Sequence, residues 1–216
     1  MSFIQQIFGP SVPPAQISAV LSAGYLLGCL TLGYYLVRWQ SGQDIRQAGS
    51  GSVGAKNVGR VLGVGGFILT LLADFAKGML AVWLAAHYLA DERLAALAML
   101  AVVTGHIWPA QLGFHGGKGV ATALGAMLVY DPRMALIFAG LAAGALILTR
   151  RGVLSGLAAF AFLPLAALFR DQGPFSVTPY SLLAGMILFA HRKNLAEEIS
   201  HFASRRRVEP AEPDHS

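Results

Sequence analysis

The sequence predicts an all-α, polytopic membrane protein with seven transmembrane helices, its N-terminus outside and its C-terminus in the cytoplasm. Three observations carry that prediction. The chain is 55% hydrophobic and only 12% charged, with a mean hydropathy of +0.58, whereas soluble domains carry about 25% charged residues. Its apolar runs reach the length of a bilayer crossing, which takes about 20 mostly apolar residues. Its basic residues collect at alternate ends of those runs.

In chain order, Phe3, Ile4, Ile7 and Phe8 share one apolar face ahead of Pro10, Pro13 and Pro14, the pattern of a short interfacial helix. The segment lacks the basic start and small-residue cleavage site of a signal peptide, so the first span is expected to be retained. Spans are expected at Ile17 to Val37, Gly63 to Ala86, Leu94 to Pro109, Gly119 to Tyr130, Met134 to Leu148, Gly152 to Phe169 and Pro179 to Ala190. The fourth and seventh are short. Tight outer connections at Asp91-Glu92-Arg93, Asp131-Pro132-Arg133 and Arg170 to Pro174 imply adjacent antiparallel helices. The inner segments are longer and richer in Gly, Ser and Asn. Residues 1–203 read as one transmembrane domain and 204–216 as a polar, proline-bearing tail expected to be disordered. Arg205 to Arg207 in that tail suit anionic headgroups. Cys29, the single cysteine, can form no internal disulfide.

The net charge of +5 and pI near 9.7 raise the question of nucleic acid, which the positions of the charges answer. Seven spans put Arg38, Arg46, Lys56, Arg60, Lys118, Arg150, Arg151, Arg192, Lys193 and Arg205 to Arg207 on one side. Only Arg93, Arg133 and Arg170 fall on the other, and Lys77 lies inside a span. The positive-inside rule makes the richer side cytoplasmic. An even number of spans would spoil the sorting.

Chemistry concentrates in the inner segments. The first reads SGQDIRQAGSGSVGAKNVGR, from Ser41 to Arg60. Gly49, Gly51 and Gly54 match GxGxxG, but they follow a transmembrane helix rather than a strand, so the dinucleotide reading fails. Ser50, Ser52 and Asn57 among these glycines offer small donors and close backbone approach, suited to a phosphate or acyl-phosphate. Lys56 and Arg60 are four apart and share a face if a helix starts here.

The second segment, GHIWPAQLGFHGGKGVAT from Gly105 to Thr122, sets Lys118 among Gly116, Gly117 and Gly119. Bare backbone amides beside an ammonium are expected to cradle a phosphate. It is no Walker A loop, because Gly119 follows the lysine and Leu112 stands where the first glycine belongs. His106, just inside the preceding span, must face protein or water; a structural and a functional role are both open to it.

The third segment, His191-Arg192-Lys193-Asn194, puts His191 and Asn194 three apart, able to hold a polyol or phosphate from one helix face. Asp74 and Lys77 lie in the second span at i and i+3 and should pair or face a polar cavity. They read as support for a site floor or as an ion path. The six histidines are scattered, so neither a metal nor another cofactor is expected.

Together these segments resemble the bacterial membrane-embedded acyl-phosphate:glycerol-3-phosphate acyltransferases, the PlsY family. The resemblance rests on DIRQAGSGSVGAKNVGRVLG, DFAKG from Asp74 to Gly78, GHIWPAQLGFHGGKGVAT and HRKNL, in that order, and covers the chain to about Glu198. It implies a multi-pass protein of the bacterial inner membrane with its site on the cytoplasmic face. The implied reaction moves a fatty acyl group from acyl-phosphate to the sn-1 hydroxyl of glycerol 3-phosphate, giving lysophosphatidic acid and phosphate. It also implies a functional link to a separate soluble enzyme that makes the acyl-phosphate. Residue by residue, it implies catalytic roles for Lys118, Arg60, His191 and Asn194. Ser50, Gly51, Ser52, Gly54, Asn57, Gly116, Gly117 and Ser155 would bind substrate, with Asp74, Lys77 and His106 in support. The chain departs from the family pattern at Ser52 and Lys56, where Asn and Thr are usual, at His115, where a lysine is common, and in lacking the glycine-glutamate ending after HRKNL.

Two rival readings come from other classes. An organophosphate or anion transporter would string intramembrane charges along a path to both faces, whereas only Asp74 and Lys77 lie deep. An alcohol phosphotransferase needs an aspartate cluster for divalent metal, and the inner loops offer only Asp44 before the tail.

Overall fold

The computed structural model describes residues 12–170, 174–193 and 195–196, and among them every regular element is helical. The interfacial helix expected around Phe3 to Phe8, Asn194 and the tail from 204 lie outside the described residues.

Helix α1 (Pro14–Cys29) begins on a proline, whose missing N–H costs no intrahelical bond at that position. It stops at Leu30, and α2 (Leu32–Ser41) resumes beyond Thr31. The first span, expected to be continuous, is therefore broken: Leu30 (φ −69°, ψ 84°) and Thr31 (φ −94°, ψ 79°) leave the helical region. Within a membrane such a break is tolerated only where protein satisfies the freed carbonyls. Lys77 Nζ donates to Gly28 O at 3.1 Å and Leu30 O at 2.9 Å, and Gln111 Nε2 donates to Cys29 O.

Helix α3 (Ala55–Leu89) starts earlier than the expected second span and turns at Gly63, whose φ of 73° and ψ of −166° form a conformation essentially reserved for glycine. Lys56 and Arg60 therefore ride on a short first section, set off from the span that follows. The remaining helices are α4 (Glu92–Ile107), α5 (Val120–Tyr130), α6 (Pro132–Thr149), α7 (Gly152–Arg170) and α8 (Pro174–Ala190). Five described stretches are long and apolar enough to cross a membrane, namely Pro14–Ser41, Ala55–Leu89, Glu92–Leu112, Pro132–Thr149 and Gly152–Arg170. Val120–Tyr130 and Val177–Ala190 are shorter apolar helices.

Helix α4 is the axis of the bundle, packed against α1, α3, α5 and α8, with Met99, Val102 and Val103 fully buried. Lipid tails supply no hydrophobic drive between helices, so close van der Waals contact through small residues has to hold them. A Cβ on Gly105 would strike Tyr25 O of α1, and one on Gly78 would strike Thr122 O of α5. Phe160 and Leu163 of α7 and Leu183 and Ile187 of α8 complete the main core. Helix α6 lies at the rim and turns Leu136 and Leu148 outward, 71% and 86% exposed.

The two ends of the bundle are built differently. At one end, Asp91 and Asp131 each cap the next helix: Asp91 Oδ1 accepts from Arg93 N at 2.8 Å, and Asp131 Oδ1 from Arg133 N at 3.1 Å. Asp131 also pairs with Arg170 at 2.6 Å and accepts from Tyr180 Oη at 3.2 Å, fastening α6, α7 and α8. At the other end lie the glycine-rich segments.

Candidate active site

The first glycine-rich loop is organised by one side chain. Asn57, 2% exposed at the start of α3, donates through Nδ2 to Ala48 O and Ser52 O, both at 2.9 Å, and to Ile45 O at 3.3 Å. Its Oδ1 accepts from Ser50 N at 3.0 Å. Its amide is thus committed to the loop's own backbone, and the loop's shape depends on it. Ser52 Oγ accepts from Gly54 N at 3.3 Å. Ser50 is exposed, while Gly51, Ser52 and Gly54 are half-buried, so the loop presents small groups outward. Arg60 is exposed, and a Cβ on Gly49 would meet its Nη1 at 3.4 Å, which puts the guanidinium over this loop.

An ion pair ties the first loop to the second. Asp44 caps the turn Ile45–Gln47, accepting from Arg46 N at 3.0 Å, and pairs with Arg46 Nη2 at 2.6 Å. Hydrogen bonding with Arg46 holds the Asp44 carboxyl below the usual carboxylate range, and the same bond raises the guanidinium. Arg46 Nη1 then reaches across to Leu112 O at 2.8 Å, and Val53 N donates to Gly116 O at 3.4 Å.

The second loop corrects one expectation. The amides of Gly116 and Gly117 are not bare: they donate to Ile107 O at 3.1 Å and His106 O at 3.0 Å, carbonyls left over at the C-terminus of α4. The glycines serve close approach instead, since a Cβ on Gly116 would strike His106 O and one on Gly117 would strike His106 Nε2. The turn thereby folds back on α4 and delivers Lys118, half-buried, immediately before Gly119 (φ 81°) opens α5. Tyr25 Oη, donating to Trp108 O at 2.8 Å, secures the base of the loop.

Beneath this turn sits a buried ionic cluster. Lys77 Nζ lies 2.9 Å from Asp74 Oδ1 and 2.8 Å from His106 Nδ1, and Asp74 Oδ1 lies 3.3 Å from the same ring nitrogen. Asp74, Lys77 and His106 are 3%, 6% and 3% exposed. They close on one another, and Lys77 also on the carbonyls of the break in the first span.

His191, just past α8 and 6% exposed, donates from Nδ1 to Ile187 O at 2.9 Å. A carbonyl only accepts, so Nδ1 carries the proton and the neutral ring keeps its lone pair on Nε2. Burial pushes the imidazole below the usual 6.5, and the nearby Lys118 charge pushes the same way. Ile187 also packs on Gly119, where a Cβ would lie 2.9 Å from its Cδ1, so Lys118 and His191 belong to one locus. Ser155, buried in the first turn of α7, donates from Oγ to Arg151 O at 2.9 Å and lies 3.0 Å from Thr149 Oγ1. Asn194 is outside the described residues, and no three His, Cys, Asp or Glu side chains gather among those described.

The structure thus brings together the first loop, Arg60, the Gly116–Lys118 turn and His191. Sequence reasoning missed the Asp44–Arg46 strap, whose only local signal is opposite charges two residues apart, and Gln111 and Tyr25, which carry no signal at all.

Comparison with known proteins bears on this locus. The family model described as Glycerol-3-phosphate acyltransferase matches residues 18–201. A Glycerol-3-phosphate acyltransferase 1 of Desulfitobacterium hafniense (strain Y51) is 47% identical over 189 residues, covering 87% of this chain and 93% of the relative. A glycerol-3-phosphate acyltransferase of Synechococcus sp. (strain CC9902) is 41% identical over 177 residues, 82% of this chain and 88% of the relative. A crystal structure of PlsY, an integral membrane glycerol 3-phosphate acyltransferase in its glycerol 3-phosphate form, superposes with a TM-score of 0.77 at 30% identity, over 86% of this chain and 92% of that one. Its lysophosphatidic acid form gives 0.74 at 29% identity over the same shares.

Proposed function

The chain belongs to the integral-membrane glycerol-3-phosphate acyltransferase family, and from that premise we propose that it uses acyl-phosphate as donor and acylates the sn-1 hydroxyl of glycerol 3-phosphate. The observation that carries this reading is the Gly116–Gly117 turn, which sets a half-buried lysine beside His191 and against a donor-rich loop.

In the proposed reaction, the sn-1 hydroxyl oxygen attacks the carbonyl carbon of the acyl-phosphate. The new ester C–O bond forms, and the bond from the acyl carbon to the phosphate oxygen breaks, phosphate leaving with the electron pair. The mixed anhydride is reactive enough that no acyl-enzyme is needed. Ser50, Gly51, Ser52 and Gly54 hold the acyl-phosphate headgroup, while Arg60 and Lys118 grip phosphate groups and offset charge as it develops. His191 and Asn194 orient the glycerol backbone. The hydroxyl proton passes to a substrate phosphate oxygen or to His191 Nε2, whose lone pair the Nδ1 bond to Ile187 leaves available.

The same reading includes seven spans, an outside N-terminus and a cytoplasmic site in the bacterial inner membrane, supported by the sorting of basic residues. Helix α5 has 11 residues, about 16 Å of rise, against a hydrocarbon core of about 30 Å. With Asp131 at the outer surface, Gly119 and Lys118 would sit recessed below the cytoplasmic face. A phosphate there would be shielded from water while the acyl chain stays among the helices. A soluble enzyme making acyl-phosphate would supply the donor.

The test is a donor comparison on purified, reconstituted protein with radiolabelled glycerol 3-phosphate. Lysophosphatidic acid formed from synthetic acyl-phosphate, without CoA or added metal, is the expected result. Transfer from acyl-CoA or acyl-carrier protein but not from acyl-phosphate would overturn the donor assignment, and absence of acylated product would overturn the reaction.

A further inference from the structure

Lys77 touches three separate pieces of chain: its own helix through Asp74, the break in the first span through Gly28 O and Leu30 O, and α4 through His106. We propose that Lys77 is a positioning residue for Lys118, acting through His106 on the Gly116–Gly117 turn. The inference rests on Lys118 belonging to the substrate site.

As an ammonium, Lys77 carries three hydrogens. Two go to Gly28 O and Leu30 O and the third to His106 Nδ1 at 2.8 Å, while Asp74 Oδ1, 2.9 Å from Nζ, supplies the opposite charge without a hydrogen bond. Asp74 Oδ1 is itself 3.3 Å from His106 Nδ1. The Nδ1 edge of a ring only 3% exposed is therefore clamped by a charge pair. Its opposite edge, Nε2, lies so close to Gly117 that a Cβ there could not fit, while His106 O accepts from Gly117 N at 3.0 Å. Ring orientation and turn conformation are thus mutually dependent, one residue away from Lys118.

Sealing the helix break alone does not call for a charge. Gln111, a neutral donor, seals Cys29 O in the same break. A buried ion pair in a membrane helix is costly, and here its second product is a fixed imidazole. That fixed ring is what the Gly117 turn leans on.

The experiment compares Lys77→Met, His106→Gln and the double variant in reconstituted protein, reading kcat, KM for glycerol 3-phosphate, and amide hydrogen exchange over residues 107–119. Misplacing a catalytic group by about 1 Å costs about 100-fold, so kcat in Lys77→Met is expected to fall by about that factor, more than KM rises. The amides of Gly116 and Gly117 should exchange faster. Lys77→Arg, which keeps the charge, should recover part of the loss. Because both residues act along one line, the double variant should be no worse than the worse single. Additive losses, unchanged kcat in Lys77→Met, or unchanged exchange at the two glycine amides would overturn the proposal. Should Lys77→Met fail to fold, His106→Gln carries the exchange test, and unchanged exchange there would equally overturn it. Absence of acylation by the wild-type protein would overturn the function reading, while the exchange comparison would still decide whether Lys77 holds the turn.

Discussion

The two ends of this bundle solve the same problem, joining antiparallel helices, with opposite economy. At the Asp91 and Asp131 end, single aspartates start the next helix, and Asp131 fastens α7 and α8 through Arg170 and Tyr180. At the opposite end, two long loops are held by bonds that cross between segments: Asn57 within the first loop, Arg46 from first to second, His106 under the glycine turn. That end gathers small donors, Lys118 and His191 in one place. The tight end fixes the helices, and the open end is the one to which the proposed function assigns the substrate.

Substitutions should separate the two ends. The larger effect on activity belongs to Asn57→Ala. It strands buried loop carbonyls, each unsatisfied group costing about 1–3 kcal/mol, so kcat/KM for glycerol 3-phosphate should collapse together with a lower thermal midpoint. Unchanged kinetics would mean the first loop does not need its observed shape.

A smaller effect concerns pH. The folded His191 ring stays neutral below the usual 6.5, whereas in an unfolded chain it protonates there. The unfolded state therefore binds more protons in that window, and stability falls as pH drops through it. Rate should follow the same sign if Nε2 accepts from the substrate hydroxyl: kcat/KM should hold at pH 6.5 and decline only at lower pH. His191→Ala should lower the rate and erase that acid limb. A limb that persists in the variant would leave the proton to substrate phosphate.

The smallest effect on turnover should come from the tight end. Asp131→Ala removes a helix cap, worth about 0.5–2 kcal/mol, and the Arg170 partner. The thermal midpoint should drop while kcat per folded molecule stays put. A loss of kcat without a loss of stability would erase the contrast between the ends.

Much of this was legible in the sequence because it rests on local signals. Apolar runs located α3 to α8, and Asp91 and Asp131 mark the tight connections between helices. Lys118, Arg60 and His191 stood out because charge and glycine at a span end are rare. What escaped was set by distant partners. The break at Leu30–Thr31 looks apolar and helical in sequence, and it persists because Lys77 and Gln111, far along the chain, satisfy its carbonyls. The glycine amides looked free because nothing in GGKG reveals that α4's last carbonyls lie against them. Asn57, expected to bind substrate, also bonds the backbone of the loop that precedes it, which no local pattern reveals.

The most direct test of the central claim is turnover of Lys118→Ala beside wild type, in bilayers, with synthetic acyl-phosphate and glycerol 3-phosphate. Removing a pre-organised charge from the transition state costs about 100- to 1,000-fold, so lysophosphatidic acid formation should fall at least that far in a variant that still folds and extracts. Wild-type turnover in that variant would contradict the account.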